Sequence, residues 1–258
     1  MTEEEYFTAW QTTFKDQPEI TEPANLAISA GRLSTNPDPA LIFIAGYQAA
    51  IRATFKEFTS NHWLAYAASE DRSETNRKPA VTINNGRLHG FKTWIAASKL
   101  VGELIVKVGS GAEARYVRVS ASTTGVNITH KPASRFLPKL SQGQAEFDGA
   151  EFKELQDLSL ISGFADRESY YIYLAFLSAL STQNHSSKNL SDSSSLAKRA
   201  NLILQTHKGT LNNLAKLDTS IQALLHSSNP EMTDLKSAWG DDGKLFTMYS
   251  KGIQARHE

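Results

Sequence analysis

The chain has 258 residues, enough to bury one or two hydrophobic cores, and its 27 basic residues balance its 27 acidic residues. This balance gives no support for a nucleic-acid or membrane-surface partner that is held by charge alone. The absence of cysteine excludes disulfides, thiolate catalysis and cysteine-ligated metals, and it favours a reducing compartment. The sequence shows neither a signal-peptide pattern nor an apolar run of membrane-spanning length, so we expect a cytoplasmic protein with no membrane partner.

Three helices are predicted in residues 1–60. Thr2 followed by three glutamates is typical of a helix N-cap with acids at the positive end of the helix dipole. A short helix is predicted over 23–31, and a third begins after Asp38 and continues to residue 58. Apolar residues nearly surround the third helix, which indicates burial, and Gly46 within it indicates a close contact with another helix.

Residues 61–152 are predicted to form a β-domain. Asn85 and Gly86 stand between two β-prone runs, a strong hairpin signal because both residues tolerate a positive φ. Other runs are short, rich in Val, Ile or Tyr, and bounded by Gly, Ser or Pro: HWLAYAAS, ELIVKVG, RYVRVSAS and GVNITHKP. Strands at this spacing predict a small antiparallel sheet or barrel.

Residues 153–258 are predicted to form an antiparallel helical bundle. A serine-rich linker or a mobile loop is predicted over 181–195. The predicted helices cover the apolar run 158–180, the segment from Leu196 to His207, the amphipathic stripe 211–227, and one last helix from Thr233 to Arg256. The predicted fold class is therefore α+β, with N-terminal helices, a central small antiparallel β-barrel or sheet domain and a C-terminal antiparallel helical bundle.

Histidine spacing does not indicate a metal site, because the seven histidines form neither HExxH nor another metal-binding pattern. The glycine-rich turn at 109–111 is not followed by a helical pattern, so it does not predict a phosphate-binding loop. No metal ligand is assigned.

The segment GRLHGFKTWIAASKLVGELIVKV resembles the middle β-domain of the acyl-CoA dehydrogenases, in which a strand carries Gly-x-Lys-x-Trp-Ile-Thr. The residues at these positions are Gly90, Lys92, Trp94, Ile95 and Ala96. Upstream, AYAASEDRSET is similar to the family's Thr-Glu followed by a Gly-Ser-Asp loop. The resemblance covers roughly residues 38–180.

This resemblance implies a three-part fold that holds FAD between the β-domain and the bundle. It also implies FAD-dependent α,β-dehydrogenation of an acyl-CoA thioester, as in fatty acid metabolism, by a homodimer or by a mixed oligomer with a full-length relative. In the family, a carboxylate takes the proton next to the carbonyl and hydride passes to the flavin. The implied cofactor-binding residues are Ser69, Trp94, Ile95 and Ala96.

Two of these assignments have alternatives. Trp94 would stack beside the flavin ring, or it is a half-buried strand aromatic. Some family members place the catalytic base on the first bundle helix, where Asp166 and Glu168 lie in this sequence. The alternative is that both acids are surface charges beside Arg167.

Several departures from the family pattern motivate an alternative function. Ala96 replaces the threonine whose hydroxyl meets the flavin, and Arg72 replaces the loop glycine. The family's Tyr-Glu-Gly-Thr base segment and its Arg-x-x-Phe-Gly flavin contact are both absent. The alternative function is a non-catalytic acyl-CoA dehydrogenase-like scaffold or partner subunit that has lost flavin binding.

Overall fold

The computed structural model describes residues 1–15, 22–34, 36–132, 134–182, 195–209 and 211–257. The helices in these ranges are α1 (Glu3–Phe14), α2 (Pro23–Gly31), α3 (Pro39–Thr54), α4 (Phe164–Ser181), α5 (Ser195–His207), α6 (Leu214–Leu225), α7 (Pro230–Trp239) and α8 (Lys244–His257). The strands are β1 (Trp63–Ala67), β2 (Thr82–Asn84), β3 (Arg87–Ala96), β4 (Val101–Val108), β5 (Arg115–Ser120), β6 (Val126–His130), β7 (Gln142–Ala150) and β8 (Lys153–Glu154). None of the described helices has the length and apolarity needed to cross a bilayer.

The N-terminal helices begin where their capping residues predict. Thr2 and Glu5 form a capping box, in which the Glu5 N–H donates to the Thr2 hydroxyl at 3.2 Å and the Thr2 N–H donates to the Glu5 carboxylate at 2.8 Å. Asp38 caps α3 by accepting from the Ala40 N–H at 3.0 Å. Helix α3 ends at Thr54 and not at residue 58, because the next residue leaves the helical conformation.

Helix α3 lies at the centre of the molecule, between α2, α4 and β1. Nearly all of its side chains are buried, as its all-round apolar pattern predicts. At Gly46, α3 and α4 approach so closely that a β-carbon added to this glycine would lie 2.3 Å from the Cα of Ile172 in α4. The predicted close helix contact is confirmed.

The β-domain consists of two four-stranded sheets, ordered β1-β4-β5-β8 and β2-β3-β7-β6. The hairpin between β2 and β3 is confirmed, with Asn85 at φ 49° and Gly86 at φ 72°. All strand pairs are antiparallel except β1–β4, which is parallel. The β-domain has the expected small, mainly antiparallel form, and the structure adds the division into two sheets and the one parallel pair. After β1 the chain crosses to the other sheet and returns to β1 only through β4, a route that permits a parallel pair.

Strand β3 separates two hydrophobic cores, because its side chains alternate between opposite faces. Ile95 belongs to the core between the two sheets, together with Leu104 and Phe147. Trp94 and Ala96 face the other way and pack against the helical core. The face that carries Trp94 therefore meets the helices.

The C-terminal bundle differs from its prediction at the last helix. The prediction of a single helix from Thr233 to Arg256 is wrong, because two helices cover this segment: α7 ends at Trp239 and α8 begins at Lys244. Gly240 between them has φ 52°, a positive value that glycine adopts readily and that interrupts the helix. Most of the predicted linker over 181–195 lies outside the described residues.

Candidate functional site

A cavity of about 440 Å³ lies where α3, the β-domain, α4 and α8 meet. Its volume is within the range of about 300–1,000 Å³ that is usual for small-molecule sites. Most of the wall is apolar, and five polar side chains converge on it. The lining residues are Phe43, Trp94, Phe136, Leu137, Gln142, Ala165, Glu168, Ser169, Leu245, Met248, Tyr249, Gly252 and Arg256.

Trp94 forms the β-domain side of the cavity. Its indole Nε1–H donates to the Gln142 side-chain oxygen at 3.2 Å, and the Gln142 Nε2 donates to the Phe136 carbonyl at 2.9 Å. The rings of Phe43 and Tyr47 contact the indole edge-on, with centroid distances of 6.1 and 6.2 Å. These contacts hold the indole in one orientation at the cavity wall.

Glu168 reaches the cavity from the opposite side, on α4. Burial raises the pKa of its carboxyl group to about 7, while a hydrogen bond from Tyr249 and the charge of Arg256 act in the opposite direction. Burial and the Glu168 charge also raise the pKa of Tyr249 above its ordinary value. A carboxyl group with a pKa near neutrality can accept and return protons at physiological pH, which is the property of a general base.

Asp166, the second acid predicted as a base, lies outside the cavity lining in the part of the chain that the structure describes. Its carboxylate accepts from the Arg256 Nε at 2.7 Å and lies 3.3 Å from the His257 Nε2. Asp166 therefore attaches the end of α8 to α4. Arg256 itself lines the cavity, so this ion pair also positions the guanidinium group.

The other predicted cofactor-binding residues do not join Trp94 in the lining that the described residues form. Ser69 is exposed, and its carbonyl accepts from the Thr93 N–H at 2.9 Å. Ile95 points between the sheets, and Ala96 is fully buried against the helices. Of the four predicted cofactor-binding residues, Trp94 alone lines the cavity together with Glu168.

The sequence did not indicate that Gln142, Tyr249 and Arg256 belong to the site. Tyr249 and Arg256 are seven residues apart and therefore lie on one face of α8, a spacing that could have marked them as a pair. Gln142 is at the start of β7, opposite Ala96 in β3, and no local pattern distinguishes it. Within the described ranges, no group of three or more His, Asp or Glu side chains could hold a metal ion.

The cavity and its surroundings suit two parts of FAD, its flat ring system and its central pyrophosphate. The apolar wall and the fixed Trp94 indole suit a flat aromatic ring system. A second cleft of about 350 Å³ shares Gln142 with the cavity, and its cations Lys99, Lys131 and Lys139 have the charge that complements a pyrophosphate group. Lys131 already donates to the Thr93 carbonyl and Lys139 to Asp38, at 2.6 Å each, so these two would reach a phosphate with their remaining N–H donors. Glu3 in the same cleft is already engaged, because its carboxylate accepts from the Ser141 N–H and hydroxyl at 3.0 Å each.

No family model matches the sequence, and no curated protein is significantly similar to it. Solved structures do match. One is the prolyl acyl carrier protein oxidase AnaB, with 14% identity, a TM-score of 0.52, and coverage of 85% of this chain and 74% of AnaB. A structure described as the electron transferring flavoprotein of Acidaminococcus fermentans has 11% identity, a TM-score of 0.54 and coverage of 88% and 76%. Apo-form PigA has 12% identity, a TM-score of 0.50 and coverage of 98% and 96%.

The three-part architecture and these matches agree on one fold. The chain has an acyl-CoA dehydrogenase-like fold. The predicted fold class and the resemblance seen in GFKTWIAAS are thereby confirmed, while identities of 11 to 14% extend the likeness no further than the fold. In this acyl-CoA dehydrogenase-like fold, the cavity with Trp94 and Glu168 lies where the β-domain meets the helices.

Proposed function

We propose that the protein is an FAD-dependent dehydrogenase of an acyl-CoA thioester and that Glu168 is its general base. The observation that carries this proposal is Glu168 itself, a carboxyl group with a pKa of about 7 in an apolar cavity that it shares with Trp94. A base for the weakly acidic proton beside a thioester carbonyl needs a pKa near the working pH. It also needs surroundings that limit contact with water, and the largely apolar wall beside the half-buried Glu168 contributes to this.

Each group of the site has a separate task in this reaction. Bound FAD would supply the acceptor for hydride. Trp94 orients a flat ring against the β-domain, and Lys99, Lys131 and Lys139 hold phosphate groups in the adjacent cleft. Glu168 accepts the α-proton at its carboxylate, and the Tyr249 hydroxyl orients that carboxylate by hydrogen bonding.

The substrate and the assembly are further parts of the proposal. We take the substrate to be an acyl group bound to CoA. AnaB is a prolyl acyl carrier protein oxidase, so carrier-protein thioesters belong in the same assay. We also propose a cytoplasmic enzyme of fatty acid metabolism that forms a homodimer or a mixed oligomer with a full-length relative.

The test combines a flavin titration with a turnover assay. Purified protein is titrated with FAD and followed by its visible spectrum, and it is then supplied with straight-chain acyl-CoA thioesters and an artificial electron acceptor. We expect FAD binding and turnover, with turnover reduced about 1,000-fold or more in Glu168→Gln, because no base remains. The matched control is Glu113→Gln, which changes an exposed glutamate of the β-domain and should leave turnover unaltered. Failure to bind FAD or equal turnover in Glu168→Gln would overturn the proposal.

The alternative, a scaffold or partner subunit without bound flavin, is favoured by Ala96 and by the packing of Trp94. Ala96 offers no hydroxyl to a flavin, and it is fully buried. Phe43 and Tyr47 already contact the Trp94 indole. Under this alternative, the cavity binds an acyl thioester without turnover, so calorimetry with acyl-CoA would show binding while the protein takes up no FAD.

A further inference from the structure

Abstraction of a proton beside a thioester carbonyl places negative charge on the carbonyl oxygen. A site that performs this step therefore needs a hydrogen-bond donor for the oxygen as well as a base for the proton. Arg256 is the one cationic side chain among the described residues that line the cavity with Glu168. A guanidinium group carries its charge at every relevant pH and presents several N–H donors.

The contacts of Arg256 hold its guanidinium group beside α4. Its Nε donates to Asp166 at 2.7 Å, and its Nη2 lies 3.4 Å from the hydroxyl oxygen of Ser169, the residue that follows Glu168. Gly252 leaves room for this placement, because a β-carbon there would lie 3.1 Å from the Arg256 Nη1. The Nη1 group makes no hydrogen bond to any residue that the structure describes, so its donors are available to a ligand.

Arg256 and Glu168 also interact through their charges. The positive charge of Arg256 favours the ionised carboxylate and so lowers the pKa of Glu168 against the effect of burial. The two groups therefore interact electrostatically at the cavity, Glu168 half-buried in its wall and Arg256 at its exposed edge.

We propose that Arg256 is a catalytic residue whose guanidinium group donates to the thioester carbonyl oxygen while Glu168 removes the α-proton. This inference rests on the proposed function. The α C–H bond breaks, its electron pair forms the carbon–carbon double bond of an enolate, and the carbonyl π pair moves onto the oxygen beside Arg256. The proton is held by the Glu168 carboxylate. Return of a proton from Glu168 reverses the step, so it needs no electron acceptor.

Because the step is reversible without redox chemistry, it can be measured as exchange of the α-protons for deuterium. The purified protein is incubated in D₂O with butyryl-, octanoyl- and palmitoyl-CoA, and deuterium at the α-carbon is followed by mass spectrometry. We expect exchange with the unchanged protein and its loss in Glu168→Gln. For Arg256→Met we expect a loss of about 100-fold or more in the exchange rate, with a smaller change in the thioester concentration at half-saturation.

Three further variants separate a catalytic loss from a structural one. Arg118→Met removes another arginine–carboxylate pair, 2.9 Å from Glu103 on the β-domain, and should leave exchange unchanged. Asp166→Asn keeps the guanidinium group but weakens its positioning, so we expect a loss of only several-fold. In Arg256→Ala, millimolar guanidinium ions should restore part of the exchange. A protein that is merely misfolded would not respond.

The outcomes distinguish this inference from the function on which it rests. Absence of exchange in the unchanged protein would overturn both. Exchange that depends on Glu168 but stays within threefold in Arg256→Met would overturn the role of Arg256 alone. If guanidinium ions did not restore exchange in Arg256→Ala, direct donation from Arg256 to the carbonyl oxygen would be contradicted, and the proposed role of Arg256 would again be overturned. A rise in the pH at which exchange begins in Arg256→Met would support it, since removal of the positive charge raises the pKa of Glu168.

Discussion

The backbone N–H of Leu137 donates a hydrogen bond of 2.7 Å to the Asp242 carboxylate, across 105 residues of sequence. Leu137 has φ 54°, a left-handed conformation that is unfavourable for a leucine and persists only when its surroundings impose it. The preceding residue, Phe136, is also held, because its carbonyl accepts a hydrogen bond from the Gln142 side chain. Since Phe136 and Leu137 both line the cavity, these two contacts position the segment that covers it.

Substitution of Asp242 by alanine should therefore loosen the cover of the cavity. We expect Asp242→Ala to lower the free energy of unfolding by about 1–2 kcal/mol, because it removes a hydrogen bond to a charged group and leaves a strained residue without its partner. Urea denaturation measures this change. The control is Asp241→Ala, which removes the exposed ion pair between Asp241 and Lys244. We expect it to lower the free energy of unfolding by less than about 0.5 kcal/mol. Equal effects of the two variants would show that the contact with Leu137 does not hold the segment.

The elements that were predicted well are those that local sequence determines. The capping box at Thr2, the cap at Asp38 and the Asn85–Gly86 turn depend on residues within a few positions of one another. The contact at Gly46 could also be anticipated, because a glycine in an otherwise buried helix indicates a close neighbour. Each of these features can be identified without knowledge of the tertiary fold.

The remaining features depend on long-range contacts. The pairing of β1 with β4 and the division into two sheets are decided by packing between distant segments. Asp166 and Glu168 are two positions apart in α4, so the helix itself turns them to different sides. Which side meets the cavity and which meets Arg256 depends on where α8 packs, and that position is a long-range feature.

The raised pKa of Glu168 predicts a pH dependence of stability. The pKa of the Glu168 carboxyl group is about 7 in the folded protein, against an ordinary value of 4.5. Between these values the folded protein binds more protons than the unfolded chain, so stability falls as pH rises from about 4.5 to 7. The stabilisation by the retained proton is fully present below the lower value and is lost above the higher one. A shift of this size corresponds to at most about 3 kcal/mol, and solvent at the half-buried Glu168 reduces it.

Glu168→Gln removes this dependence, because the amide does not ionise. We expect the variant to match the unchanged protein near pH 4.5 and to exceed its free energy of unfolding by up to about 3 kcal/mol at pH 8. Denaturant unfolding at the two pH values provides the measurement, with Glu113→Gln as the exposed control. If the difference between Glu168→Gln and the unchanged protein were the same at both pH values, the carboxyl group would have an ordinary pKa.

The indole of Trp94 should report on ligands in the cavity. Of the four tryptophans, Trp10 and Trp63 are fully buried and Trp239 is 8% exposed, whereas Trp94 lines the cavity. We expect FAD or an acyl-CoA to quench part of the intrinsic fluorescence and expect most of this change to be absent in Trp94→Phe. Loss of the hydrogen bond to Gln142 should also cost about 1 kcal/mol of stability. Quenching of the same size in Trp94→Phe would place the ligand elsewhere.

The contact between α3 and α4 at Gly46 gives a prediction about the central core. In Gly46→Ala the new methyl group would lie 2.3 Å from the Ile172 Cα and 2.4 Å from the Ile172 backbone nitrogen, so it meets backbone atoms that cannot rotate away. The helices must separate, and we expect a loss of about 3 kcal/mol or more in the free energy of unfolding, in spite of the higher helix propensity of alanine. Gly243→Ala is the matched control, because its β-carbon meets only the Trp239 side chain at the ordinary distance of 3.7 Å. Since α3 and α4 both contribute residues to the cavity, Gly46→Ala should also weaken ligand binding. If Gly46→Ala proved as stable as Gly243→Ala, the close approach of α3 and α4 would be contradicted.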